Sequence, residues 1–550
     1  MSQEDHVSHR WKPSIELPAP VVPYVAIALW AAVPLLIRSP QQSLMAHDEG
    51  WYAQQARWIV ESGDWVTQQW WGELIYDRAM GIQWAIAAAY RVWGVNEAIA
   101  RLPGMVACLV CIVLTYDIGR RCLPQRIAWL GAAILAATPI WMQAGKLATQ
   151  DIPLVAAELL GIWALLKAES SQSGRWMWHW LAGTTFGLGF ALKSFMVIPA
   201  SCALLPYLAI EHRRHRHLAH PALYVGLGMG LIPIGIWLRA SAIRYGSLPL
   251  DNFLGKLFQL SGTAFHDVGP LYYFWNIPVN GFPWPLLAIA GIALSWRNAA
   301  YRRRSLWMGF PLTLFVLLCC FKTRTWYYPL QLLPFASLLA AVTLAHLTEL
   351  YRRAHWLPTW LSYGAGGLAL VLTSAGSAIV LHMSFIPVEL DAAYGWIGLA
   401  LGLGWLIPSV ACWQGRSRPP MARLARLWQW GWLLGPWGAI VACYATGLWG
   451  NYNPDVVTAL ARPPLAPILQ THAVDFVFPA GNAAMGSRDA VLLTYYTPHL
   501  GNRLTDLQKM QPENYAWVNA RDTQQFPTNI QTIGAVREWK LVFIPPESEQ

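Results

Sequence analysis

A chain of 550 residues, 55% apolar and only 12% charged, is not an ordinary soluble protein, in which about 25% of residues are charged. The net charge of +10 could suit nucleic acid, but the basic residues gather in short loops between apolar blocks, the pattern of cytoplasmic loops in a membrane protein. The eight cysteines all fall in or beside those blocks, so no disulfide framework is expected.

In chain order, residues 19–36 form an apolar block without a small-residue cleavage site, and read as an anchor. A polar, Trp-rich stretch follows from 38 to about 78. Within it, 50–62 has the spacing of an amphipathic helix lying on the membrane surface. Residues 81–90 are apolar but too short to span. Further spans are expected at 98–116, 127–142, 152–166, 180–192, 194–210, 222–242, 271–294, 306–320, 326–347, 357–383, 392–413 and 427–447, about thirteen with the first. Charge parity fixes the break at Lys193. With the N-terminus inside, the break puts Arg213, Arg214 and Arg216, and then Arg302, Arg303 and Arg304, in the cytoplasm. Without it every later loop inverts.

An odd number of spans sends the tail to the far side. Its apolar runs 491–496 and 541–544, separated by turn residues, predict a small α/β module. The expected fold is therefore an all-α polytopic membrane protein with a small C-terminal extracytoplasmic α/β domain. Residues 1–450 form the membrane domain, with its first far-side loop at about 38–97, and 451–550 the soluble domain.

The chemistry-bearing residues collect in the far-side loops: Asp48 and Glu49, Asp77 and Arg78, Lys146 and Asp151, Lys193, then Lys256 and His266, then Lys322 and Arg324. A carboxylate there can take a proton from a hydroxyl, and a Lys/Arg cluster can hold a phosphate. Each piece alone has a plain alternative. Asp48-Glu49 can be merely solvated, Asp151 can cap a helix, and Arg78, Lys193 and Lys322 can be interfacial anchors. Asp77 with His266 offers only two metal ligands, too few for a site by themselves.

The order of these pieces adds to their meaning. Asp48-Glu49, then Ser62-Gly63-Asp64-Trp65, then Tyr76-Asp77-Arg78 resembles the first extracytoplasmic loop of bacterial GT-C glycosyltransferases. The nearest likeness is the aminoarabinose (lipid A) transferase and protein-mannosyltransferase-like group. Asp151, Lys193 in a Lys-Ser-Phe step, His266 ahead of Pro270-Leu271-Tyr272, and Lys322 with Tyr327-Tyr328-Pro329 follow in the family's order. Asp77-Arg78-Ala79 departs from it, standing where the family has Glu-Lys-Pro.

The resemblance implies an inverting transferase in the bacterial inner membrane, with the N-terminus cytoplasmic and the tail periplasmic. It would move a sugar from a polyprenyl-phosphate donor to a hydroxyl on a lipid, protein or envelope glycan. Asp48 is the leading base and Asp151 the second, with Glu49 beside them. Arg78, Lys193, Lys322, Arg324 and Tyr328 would bind the donor phosphate. No cofactor is required, and a divalent metal on Asp77 and His266 is the only one the resemblance suggests. The competing class is a transporter or lipid flippase, for which Glu158 is the main acidic residue deep in a span.

Overall fold

A computed structural model describes residues 21–38, 42–171, 173–262, 268–297, 301–382, 391–415, 422–479, 483–521 and 530–546. The first apolar block forms α1 (Val21–Leu36). The polar stretch after it forms α2 (Asp48–Ser62) and a hairpin of β1 (Gln69–Trp70) and β2 (Glu73–Leu74), ahead of α3 (Gly81–Trp93). α4 (Glu97–Cys122) starts where the Asn96 side chain accepts from the Ile99 amide at 3.0 Å. α5 (Gln125–Leu135) and α6 (Pro139–Gly145) are bent by 66° at a break that ends in Pro139. α7 (Asp151–Ser170) and α8 (Arg175–Lys193) follow. At Ser194 the backbone turns left-handed, with φ 49°, and the chain goes on through short helices to Ile210.

Among the described residues, six helices are each long and apolar enough to cross a membrane, or eight if each of two bent pairs is one span. Thirteen spans were read from the sequence. Residues 175–203 pass as one apolar stretch despite the turn at Ser194. α7 falls short because it carries Asp151, Glu158, Lys167 and Glu169. Ala422–Thr446 falls short because it opens on two arginines and spends much of its length on tryptophan.

Helix packing depends on glycine where backbones touch. α8 crosses the helix Pro221–Tyr245 through Gly183 and Gly187 on one side and Gly226 and Gly230 on the other, two Gly-x-x-x-Gly pairs. A Cβ on Gly226 would lie 2.0 Å from the Trp180 carbonyl oxygen, and one on Gly183 1.9 Å from that of Leu223. No side chain fits there.

The C-terminal part is an α/β unit, as its turn-punctuated apolar runs imply. Its sheet comprises β3 (Val474–Val477), β4 (Leu500–Leu504), β5 (Tyr515–Asn519), β6 (Gln531–Val536) and β7 (Trp539–Phe543), in the order β4-β3-β5-β7-β6. β3 pairs parallel with β4 and β5, and the helix Arg488–Tyr496 makes the first crossover. Of the two apolar runs, 491–496 is thus helix and 541–543 strand.

This unit sits on the first loop. Buried Arg57 of α2 donates to the carbonyls of Tyr495 (3.1 Å), Thr497 (3.0 Å) and Pro498, at the end of the crossover helix. A guanidinium suits the negative end of a helix. α2, which the sequence pattern suggests as an amphipathic helix on the membrane surface, is packed under the C-terminal unit.

Candidate active site

Four loop-and-helix junctions meet around a cavity of about 520 Å³. The N-terminus of α2 brings Asp48 and Tyr52, one turn apart on the same face. The segment after β2 brings Asp77 and Arg78. The loop into α7 brings Gln150 and Asp151, and the turn after α8 brings Lys193 and Ser194. Thr323, Thr325, Tyr327 and Tyr328 line another wall, and Ile198, Pro199, Cys202, Leu317 and Phe321 make an apolar side.

Two clusters form the polar part. Arg78 Nη1 donates to the Tyr52 hydroxyl at 2.6 Å and to Asp48 Oδ1 at 3.2 Å, while its Nε reaches Asp77 at 3.1 Å. Burial opposes the Arg78 charge, but Tyr52, Asp77 and Asp48 outweigh it and hold its pKa well above the ordinary value. Burial also pushes the Tyr52 phenol up, against the pull of Arg78, so it is a neutral hydroxyl that accepts from the guanidinium. In the second cluster Lys193 pairs with Asp151, its ammonium 4.4 Å from the Tyr327 ring centre and 5.5 Å from that of Tyr328. With Lys256, missed as a site residue because its neighbours carry no motif, the wall has three carboxylates and three cations.

Other predicted residues lie elsewhere. Glu49 is fully buried and does not line the cavity: it takes Arg101 Nε at 2.7 Å and Nη2 at 2.8 Å, and the amides of Met45 and Ala148. Adjacent helical residues point about 100° apart, so Asp48 meets the cavity and Glu49 the protein. Arg324 is turned into its own loop, donating to the Cys319 carbonyl at 3.1 Å, and Lys322 is exposed; neither lines the cavity. Asp151 is the first residue of α7, after Gln150, and makes no cap bond, which replaces the capping alternative with the pair to Lys193. His266 lies outside the described residues.

One Asp77 oxygen is buried without a hydrogen-bond partner among the described residues, a single donor that does not make a metal site. No three His, Cys, Asp or Glu side chains cluster for a metal among those residues. Glu158, the residue a transporter would use, is buried with one oxygen accepting from Gln331 at 3.1 Å.

The chain thus combines a bundle of apolar helices, a polar first loop holding an acid at a helix start, and a small α/β unit packed on that loop. The crystal structure of ArnT from Cupriavidus metallidurans bound to undecaprenyl phosphate has this fold, with a TM-score of 0.71 over 95% of this chain and 97% of that one at 18% identity. The Archaeoglobus fulgidus oligosaccharyltransferase is a looser likeness, at 0.50 over 91% of this chain and 69% of that one, with 13% identity.

In sequence, residues 77–238 match the family described as dolichyl-phosphate-mannose-protein mannosyltransferase. The chain is 26% identical, over 74% of its length and 73% of the relative's, to the undecaprenyl phosphate-alpha-4-amino-4-deoxy-L-arabinose arabinosyl transferase of Pseudomonas aeruginosa. A Pseudomonas fluorescens protein of that name is 26% identical over 70% of each chain. This chain is an integral membrane protein by its apolar helices, similar in sequence to the aminoarabinose transferases and in fold to ArnT.

Proposed function

We propose that the protein is an inverting glycosyltransferase that takes a sugar from a polyprenyl-phosphate donor and transfers it to an acceptor hydroxyl on a lipid, protein or envelope glycan. One observation carries this reading: the cavity joins a charged floor to an apolar side of Ile198, Cys202, Leu317 and Phe321. A polyprenyl phosphate has that same division into an anion and an isoprenoid chain. A transporter would instead place its ionisable groups along a path through the bilayer.

Asp48 acts as general base, accepting the hydroxyl proton as the oxygen attacks the anomeric carbon. Asp151 is the second candidate, or orients the acceptor. As the bond from sugar to phosphate breaks, negative charge grows on the phosphate, and Arg78 and Lys193 stabilise it. Phosphate leaves readily, so no acid is assigned. Lys256 joins the donor-binding set, and Tyr328 walls it; Arg324, held by the Cys319 carbonyl, and exposed Lys322 lie outside the cavity lining and are left out of the set. Thirteen spans, a cytoplasmic N-terminus, a membrane domain through residue 450 and a periplasmic domain from 451 complete the reading. The basic loops 211–220 and 297–304 support that orientation.

The test is turnover by the purified protein in nanodiscs, supplied with polyprenyl-phosphate sugars and an outer-membrane glycolipid fraction. Release of polyprenyl phosphate with transfer of sugar, lost in Asp48→Asn, is expected. Donor movement across the bilayer without transfer would favour the transporter.

A further inference from the structure

A second groove, of about 340 Å³, lies where the first loop meets the C-terminal domain, lined by Trp58, Glu61, Gln69, Trp71, Asn502 and Arg503 among others. Its size falls in the roughly 300–1,000 Å³ range of small-molecule sites. The Trp58 and Trp71 rings stand 5.9 Å apart at 76°, forming two walls of a corner. Trp71 is fixed from behind by Phe476, 4.8 Å away, and by an indole N–H bond to Thr494. Trp58 and Gln69 are partly exposed and Asn502 is exposed; the two side-chain amides can both donate and accept. The charges are already matched: Glu61 pairs with Arg57 at 2.6 Å and Arg503 with Glu73 at 2.7 Å. An anionic ligand would find no surplus cation.

Aromatic faces at a corner, amides between them and no net charge suit a neutral saccharide. The C–H faces of a sugar ring lie on indole, and its hydroxyls exchange hydrogen bonds with amides and carboxylates. Position adds to the case. Trp58 follows Asp48 by ten residues on α2, a separation of about 15 Å at 1.5 Å per residue, the span of a few sugar rings.

We infer that this groove binds neutral sugar residues of the acceptor, so that the acceptor carries a glycan, with the C-terminal domain supplying one wall. The role as an acceptor subsite rests on the transfer reaction proposed above; the binding itself does not. The same saccharide could arrive on a lipid or on a protein.

The experiment is calorimetric titration of the full chain in nanodiscs, free of glycoside detergent, with chitotetraose and with mannotetraose. At least one should bind the wild type and Asp48→Asn alike, so this result is read separately from the transfer chemistry. Trp58→Ala should weaken binding about ten-fold, Trp58→Phe should recover most of it, and exposed Asn502→Ala should weaken it several-fold, the last at unchanged Tm. The same tetrasaccharides on an alkyl chain or on a peptide distinguish the source: Trp58-dependent binding tighter than to the free sugar marks the natural carrier. Absence of binding to the wild type by both sugars, or equal binding by Trp58→Ala, would overturn the inference.

Discussion

Asp48 and Glu49 share the first turn of α2, where a helix N-terminus favours carboxylates, yet their surroundings differ. Asp48 faces the cavity with its side chain about half exposed (47%), whereas Glu49 is sealed against Arg101. Asp48→Asn should lower turnover by about 10²–10⁴-fold, the usual range for a general base, with Tm unchanged. Glu49→Gln should do the reverse, costing about 3–5 kcal/mol because it leaves Arg101 buried and uncompensated; thermal unfolding checks it. Arg78→Lys should raise the donor KM, since lysine cannot bridge Asp48, Tyr52 and Asp77 as the guanidinium does. The acid-acid pair was legible in the sequence, but its division of labour was not, because it depends on Arg101, fifty-two positions away. Arg324 shows the same limit: a cation in a far-side loop is visible as a letter, while the direction of its guanidinium depends on the Cys319 carbonyl.

Elements are held by contacts of two kinds, close backbones and loop clamps. Gly226→Val puts a side chain onto the Trp180 carbonyl and should destabilise the bundle by about 3 kcal/mol or more, read as lost monodisperse protein on gel filtration. The loop after α2 is clamped by Asp64, which accepts from the Val66 and Thr67 amides, the Thr67 hydroxyl and Arg244. Burial would raise its pKa, but the Thr67 hydroxyl, the Val66 amide and Arg244 outweigh it and bring it down to about 2, below the ordinary 3.8. A depressed carboxyl stabilises the fold fully above its unfolded pKa and loses that contribution as pH falls through the folded value. The wild-type Tm should therefore fall between about pH 4 and pH 2, and Asp64→Asn should flatten that part of the profile. The long apolar helices were readable from block length, whereas the division of 271–294 into two helices bent by 110° and the helix Leu248–Gly262 were not. The β1–β2 hairpin was not, because two-residue strands leave no periodicity.

At the scale of the whole molecule, the C-terminal domain is locked to the first loop by Arg57 and by the Leu44 amide, which donates to the Tyr496 hydroxyl at 2.9 Å. Arg57→Ala removes a charged donor from three carbonyls, a loss of about 3 kcal/mol or more, and should speed proteolytic release of the C-terminal domain. That the tail would be α/β followed from its turns and apolar runs; that it would roof α2 did not, since no local pattern encodes a contact between residues 57 and 497. The central claim, transfer from a polyprenyl-phosphate sugar through Asp48, is most directly tested by mass spectrometry of polyprenyl-phosphate sugars. The comparison is between membranes containing the wild type and membranes containing Asp48→Asn at matched levels. Depletion of one such lipid by the wild type alone is the predicted result; identical profiles, in membranes shown to hold donor and acceptor, would contradict it.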